Sequence, residues 1–357
     1  MRILHLVLAP RLSGAEVLAK DLAIHQRMHG DAVAIASLLP QHDDFGALRA
    51  ELDGHAVTCL FPARTHGSLG KLWHLYQVIR RFKPDVLLAH ATIPAFYARA
   101  LPVRVPVIYV MHSAANDFER SLFRRVERVL SRRARAVVGV SEANLKDYVA
   151  AIGRHPLMQV IPNGVDTRRF VCTAGAASSG KDGAAQIVQI GRYNAVKDQL
   201  QTVRAFAEAA RVVTDARLLL VGVIEDRAYF AAVNALVNEL GLAGRVIVDG
   251  PREDVSRLLA ESRVFAMPSR SEGHSIAFLE ALATGIPVVA SRIDAFGFAR
   301  DFPGVQLLDT TDTVAYGHAL VGALHEPRVE RSLDGLTLND TARQYQAITR
   351  RVAGALA

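Results

Sequence analysis

The densest chemistry in the chain lies between Met267 and Ser291, MPSRSEGHSIAFLEALATGIPVVAS. Glu272 and Gly273 sit in a polar loop, and Ser275 is a residue type that caps a helix, here one starting at Ile276. That helix is apolar except for Glu280; Gly285 and Pro287 end it and a strand resumes at Val288. A carboxylate in an apolar helix is costly unless paired or hydrogen-bonded, and a salt bridge to one of the many arginines is one way to satisfy it. Glu272 points to another. It stands eight residues earlier, at the helix's amino end, where the N–H groups of Gly273, His274 and Ser275 are offered to an anion. Two carboxylates flanking an anion site suit a sugar nucleotide, with hydroxyls on the carboxylates and the diphosphate on the amides.

Cations for that diphosphate stand in Gly191-Arg192-Tyr193-Asn194-Ala195-Val196-Lys197, which follows an apolar strand and precedes a helix. A lysine at a helix start opposes the macrodipole, a local misfit that an anionic ligand would relieve. Arg192 and Lys197 together would also hold the charge that builds on a departing diphosphate. Gly14, after the first strand, permits close approach of backbone to a phosphate or simply makes a turn. His112 directly follows the apolar strand Val105–Met111, which places it at a strand's carboxyl end; a histidine bonded to backbone is the plainer reading. No Asp-x-Asp and no metal-ligand spacing of His, Cys, Asp or Glu is present, so no metal or other cofactor is expected.

Elements that would position these residues alternate along the whole chain. Near-continuous apolar runs read as parallel strands covered on both faces, with amphipathic helices between them. Seven such runs precede the stretch Cys172–Ala185, which is rich in Gly, Ser and Ala and has no apolar periodicity, and six follow it. The expectation is an α/β protein of two Rossmann-like, doubly wound domains facing a cleft: 1–170, a linker at 171–185, 186–325, and a helical tail 326–357 packing back on the first domain. Ligands of open α/β sheets bind at the carboxyl ends of the strands.

These motifs together resemble the retaining glycosyltransferases of the GT-B fold, family 4. The Glu-x7-Glu stretch carries most of the resemblance, supported by Gly191-Arg192…Lys197, by Pro162-Asn163-Gly164-Val165-Asp166, by Val140-Ser141-Glu142 and by the turn Ser13-Gly14-Ala15-Glu16. The resemblance implies a metal-independent enzyme that moves a sugar, with retention, from a UDP- or GDP-type donor to a cell-surface glycan or lipid-linked acceptor. It implies His112, Arg192, Lys197 and Glu272 at the reaction centre, and Gly14, Gly273, His274, Ser275, Ile276 and Glu280 about the donor. A sugar-nucleotide epimerase of the same fold, or a non-catalytic binding protein, is the alternative. The sequence departs from the family's Gly-Gly-x-Pro-Glu loop: Arg292-Ile293-Asp294-Ala295-Phe296-Gly297-Phe298 has no Pro-Glu.

Composition closes off other classes. Half of the 357 residues are hydrophobic and 22% are charged, an ordinary globular balance that excludes a disordered or fibrous chain. Two distant cysteines make no disulfide framework. No apolar run reaches the 18–20 residues, roughly, of a membrane span, and the first residues enter a strand without a leader pattern, so a cytoplasmic protein is expected. The net charge is +7, and 36 of the 42 basic residues are arginine. Basic residues are not interleaved with aromatics as in nucleic-acid sites, so nucleic acid is not an expected partner. The segment Phe118–Arg135 holds seven arginines, with Leu122, Phe123, Val126, Val129 and Leu130 on one helical face. It is read as a helix covering the sheet, with Arg124, Arg128 and Arg132 available to an anionic membrane surface on the inner face of the cytoplasmic membrane.

Overall fold

The protein is described by a computed structural model over residues 1–112, 117–172 and 185–354. Its strands are β1 (Arg2–Val7), β2 (Ala32–Ser37), β3 (Thr58–Leu60), β4 (Val86–His90), β5 (Val107–Met111), β6 (Ala134–Gly139) and β7 (Met158–Val160) in the first half. The second half holds β8 (Gln186–Ile190), β9 (Arg217–Val221), β10 (Val246–Asp249), β11 (Val264–Met267), β12 (Val288–Ser291) and β13 (Val305–Leu308). All thirteen coincide with runs read as strands, because most are buried on both faces and therefore near-continuously apolar, a signal that does not depend on phase.

Among the described residues the strands form two all-parallel sheets, ordered β3-β2-β1-β4-β5-β6-β7 and β10-β9-β8-β11-β12-β13. Each order reverses once, between β1 and β4 and between β8 and β11. Such a reversal opens a crevice at the carboxyl ends of the two central strands, since the helices that follow them leave on opposite faces. Both faces of each sheet are covered. Leu4, Leu6, Leu87 and Tyr109 belong to one cluster of the first sheet and Val7, Val33 and Ile35 to another; Ile187, Leu218 and Val264 and, opposite them, Val188, Leu219 and Phe265 do the same for the second.

The two compact units are Met1–Gly164 with Leu338–Ala357, and Val165–Thr337. The boundary expected at 170 thus lies at Gly164, and residues 326–337 belong to the second unit rather than to a tail. The reason is local. The Val165 N–H donates to the Leu336 carbonyl (3.0 Å) and Val165 bridges Thr337, so the chain enters and leaves the unit side by side. Phe170 joins its core. Arg328 and Arg331 then pin residues 326–337 down, donating to the carbonyls of Leu259, Ser262, Thr284, Leu282 and Ile286 at the ends of two helices. Of the expected linker, residues 173–184 lie outside the described residues. The last helix, Leu338–Gly354, contacts the helix Gly14–Met28 and β4 in the first unit.

Three helices escaped the periodicity reading. Gly46–Gly54 is short; Thr92–Ala100 carries Pro94, tolerated because it sits in the first turn, where its missing N–H would have had no intrahelical partner. Thr313–Leu324 is too apolar to show a polar face, and it packs on Gln199–Val212 so closely that a Cβ at Gly317 would stand 2.9 Å from the Ala205 carbonyl oxygen.

Candidate functional site

In the second unit, the loops after β8 and β11 flank the point where the strand order reverses, and the predicted cation and carboxylate meet there. Lys197 Nζ donates to Glu272 Oε1 at 2.5 Å, with both side chains about nine-tenths buried. Two further bonds lace the loops together, Arg270 N–H to the Val196 carbonyl (2.8 Å) and Arg270 Nε to Asp198 (2.8 Å), and Gln189 Nε2 on β8 holds the Lys197 carbonyl (2.7 Å). Lys197 is directed by glycine. A Cβ at Gly191 would lie 3.3 Å from its Cδ, so the lysine stem runs across bare backbone. Gly191 is itself pressed against Gly222, where a Cβ would overlap its carbonyl oxygen at 1.9 Å; no L side chain fits there.

Arg192 stands on the same loop but takes a different partner, Glu225, at 2.5 Å, which also accepts from Asn194 Nδ2 (2.5 Å). The sequence reading passed over Glu225, because the loop after β9 carries no motif. With Lys197 on Glu272 and Arg192 on Glu225, each cation has a carboxylate that an incoming diphosphate would compete with. The guanidinium is 40% exposed, so solvent screens its pair.

The helix after Glu272 runs Ile276–Ala283, and Ser275 caps it by accepting from the Phe278 N–H (3.4 Å). The other first-turn N–H groups of such a helix have no intrahelical acceptor. Phe278, Leu279, Ala281 and Leu282 are buried, while Ile276, Ala277 and Glu280 form a half-buried stripe on the remaining face. Glu280 therefore lies on the same side as the amino-end residue Ile276, one turn further on. Gly273 is buried, and His274 stacks on Phe298 with ring centroids 5.2 Å apart. Burial holds the His274 imidazole neutral by lowering its pKa to about 4. The segment lacking Pro-Glu is a short 3₁₀ stretch, Asp294–Ala299, whose Phe296 stacks on Phe278 (4.3 Å). An aromatic cluster thus packs on the buried side of the helix, at Phe278.

In the first unit, Gly14 opens the helix Gly14–Met28 after β1. Ser13 holds the cap position, but its hydroxyl donates to the Glu16 carboxylate instead of accepting from the helix N–H groups. His112 follows β5 as expected. Its ring, however, is bonded through Nε2 to Nδ1 of His90 (2.9 Å) rather than to backbone, and burial lowers its pKa to about 4.

The arginine-rich segment is one α-helix only over Ser121–Leu130, with 3₁₀ turns at Asp117–Glu119 and Ser131–Arg133. The apolar face expected to cover the sheet is also corrected. Leu122 and Val129 are 66% and 76% exposed, and the residue that goes inside is Glu127, paired bidentately with Arg99 (2.7 and 2.6 Å). That buried pair lets the helix turn Leu122, Arg125 and Val129 outward, with Arg132 exposed in the 3₁₀ turn that follows.

Comparison with known proteins agrees with this architecture. Residues 12–169 match the family model described as Glycosyltransferase Family 4, and residues 184–325 the model Glycosyl transferases group 1. A GDP-mannose-dependent alpha-(1-6)-phosphatidylinositol monomannoside mannosyltransferase of Mycolicibacterium smegmatis is 31% identical over 210 residues; the match spans 55% of this chain and 54% of that protein. A UDP-Gal:alpha-D-GlcNAc-diphosphoundecaprenol alpha-1,3-galactosyltransferase of Escherichia coli is 24% identical over 351 residues, covering 90% and 87% of the two chains. Among solved structures, Anabaena Alr3699/HepE in complex with UDP and glucose superposes with a TM-score of 0.78 at 21% identity, over 98% of this chain and 95% of that one. WaaG, a glycosyltransferase involved in lipopolysaccharide biosynthesis, gives 0.70 at 16%, over 99% and 100%. The chain belongs to the family 4, group 1 glycosyltransferases and has their GT-B fold, two parallel α/β sheets with helices on both faces.

Proposed function

We propose that the protein is a retaining, metal-independent glycosyltransferase that moves a hexose from a nucleotide-diphospho-sugar to a lipid-linked or cell-surface glycan. The observation that carries this reading is the Lys197–Glu272 pair at the reversal point of the second sheet, beside a helix amino end. A diphosphate reaching that crevice meets the ammonium of Lys197, the guanidinium of Arg192 and first-turn N–H groups. These charges are fixed before the bond breaks, so they stabilise the leaving diphosphate without reorganising. Glu280, on the half-buried stripe, takes the ribose hydroxyls. The family resemblance adds His112 at the reaction centre and Gly14 at the donor. The mannosyl- and galactosyltransferase relatives, and the UDP complex of the similar structure, make nucleotide sugars the substrates to try first.

The test is a panel of UDP-, GDP- and ADP-sugars with lipid-linked glycan acceptors, scored by nucleotide release and by the anomeric configuration of the product. Release that rises with acceptor and a product of retained configuration support the reading. An epimerised donor without transfer overturns it. Glu280→Gln preserves size and removes a charged acceptor, so nucleotide affinity falls by about 1–3 kcal/mol, roughly 5- to 150-fold in Kd. Unchanged affinity by calorimetry in the folded variant removes Glu280 from the ribose.

The acceptor is proposed to be membrane-bound because of the outward residues Leu122, Arg125 and Val129, with Arg132 in the turn that follows, which pair exposed apolar side chains with cations as interfacial helices do. Among the described residues no helix is long and apolar enough to cross a membrane. Each basic residue near an anionic surface contributes about 1 kcal/mol, so Arg125→Glu, Arg128→Glu and Arg132→Glu together lower binding to phosphatidylserine vesicles more than a hundredfold, roughly. Soluble donor hydrolysis is unaffected. Equal sedimentation of both proteins with vesicles at low and physiological salt refutes the membrane contact.

A further inference from the structure

Inside the first unit a line of polar side chains crosses the sheet. His5 on β1, His90 at the end of β4 and His112 just past β5 belong to neighbouring strands. His5 pairs in register with Leu88, so His90 lies two residues further along; His90 pairs with Val110, so His112 lies two further again. Steps of two keep all three rings on one face of the sheet and carry the line diagonally towards its carboxyl edge. The contacts are continuous. His5 Nε2 meets Gln26 Oε1 (2.8 Å), His5 Nδ1 meets His90 Nε2 (3.0 Å), and His90 Nδ1 meets His112 Nε2 (2.9 Å). The rings are nearly parallel, 14° and 23° apart. His5 and His90 are fully buried, among apolar side chains that a packed core would fill more cheaply. Among the described residues the Nδ1 atom of His112 has no hydrogen-bond partner.

We infer that Gln26, His5 and His90 form a positioning relay that fixes the tautomer of His112, so that its Nε2 carries the proton and its Nδ1 presents a lone pair at the carboxyl edge of the sheet. A neutral imidazole has one donor and one acceptor nitrogen, so one end of the line sets the rest. Gln26 Oε1 only accepts; His5 must therefore donate from Nε2 and accept at Nδ1. His90 then donates from Nε2 and accepts at Nδ1, and His112 donates from Nε2. Burial keeps the rings neutral, since desolvation lowers the pKa of His5 and of His112 to about 4 and that of His90 well below its usual value. Resting on the transferase reading, the ligand of that lone pair is a sugar hydroxyl, which donates to Nδ1; an N–H at the same place would repel it. His112 is the contact residue, while Gln26, His5 and His90 act through it.

The test reads protonation directly, by long-range 1H–15N correlation of the histidine rings in the full chain without substrate at pH 7. The expected spectrum shows His5, His90 and His112 each as a single Nε2–H tautomer. An Nδ1–H or averaged signal for His112 overturns the relay. Gln26→Leu removes the terminal acceptor and His90→Phe cuts the line while keeping a ring of similar volume. Either is expected to move His112 to an averaged tautomer in protein with native circular dichroism, and Gln26→Leu decides the matter where His90→Phe does not fold. A His112 tautomer unmoved in the folded variants means that the line is packing only and overturns the inference. Because no donor is present, this result is independent of the sugar panel: a fixed tautomer with no sugar turned over condemns the transferase reading, not the relay.

Discussion

Lys197→Ala is expected to lower the rate of sugar transfer about 10²–10³-fold, equivalent to about 2.7–4 kcal/mol of barrier, the scale for removing one preorganised electrostatic contact to a developing charge. The lysine's surroundings favour the upper end. Its ammonium is about nine-tenths buried and its stem is held over Gly191, so solvent neither screens it nor replaces it. Arg192→Ala is expected nearer the lower end, because its guanidinium is exposed enough for water to take over part of its work. Lys197→Ala also leaves Glu272 without the cation it pairs with. Glu272→Gln separates the two effects, as it keeps the ammonium and removes only the carboxylate charge. Single-turnover rates of folded variants, in the presence of chelator throughout, provide the measurement. A Lys197→Ala rate within threefold or so of the parent, or a parent rate abolished by chelator, ends the proposal that these cations carry the leaving-group charge.

Glu127→Ala is expected to destabilise the first unit by about 3–5 kcal/mol, the cost of breaking a buried ion pair by removing one partner. Both side chains are fully buried, Glu127 also accepts from the Tyr148 hydroxyl (2.7 Å), and the Arg99 guanidinium lies 5.1 Å from the ring centre of Tyr109. Truncating the glutamate strands a guanidinium among apolar and aromatic groups, where its desolvation is no longer offset. Replacing both partners by apolar residues, Arg99→Met with Glu127→Leu, is expected to recover most of the loss, since the pair's attraction roughly balances its desolvation. Urea unfolding followed by far-ultraviolet circular dichroism compares the three proteins. A single variant within about 1 kcal/mol of the parent shows that the pair is solvated and not the anchor of the helix Ser121–Leu130.

Much of the candidate site in the second unit was legible from residue types alone. Glu272, Ser275 and Glu280 stand out because each is a polar residue in an apolar run, and such departures are costly unless a partner or ligand answers for them. The strands were legible for the complementary reason: parallel strands buried on both faces leave the same apolar mark whatever their order. What fails in such a reading is long range. Glu225 carries no local signal; it becomes the partner of Arg192 only because β9 lies beside β8. The expected boundary followed composition, whereas the observed one follows the bridge between Val165 and Thr337, residues far apart in sequence.

The sequence by itself determined the family, the alternation of strands and helices, and which loops carry charge, because apolar periodicity, caps and glycines act within a few residues. Tertiary structure alone decided who answers each buried charge. Periodicity assigned the five apolar residues of the arginine-rich helix to the core, yet Arg99, from another helix, draws Glu127 inside and turns Leu122 and Val129 out. It also decided the company of His112. Histidines 5, 90 and 112 are unremarkable at their spacing in the chain, and they form one line only when β1, β4 and β5 are laid side by side with the register that a parallel sheet imposes.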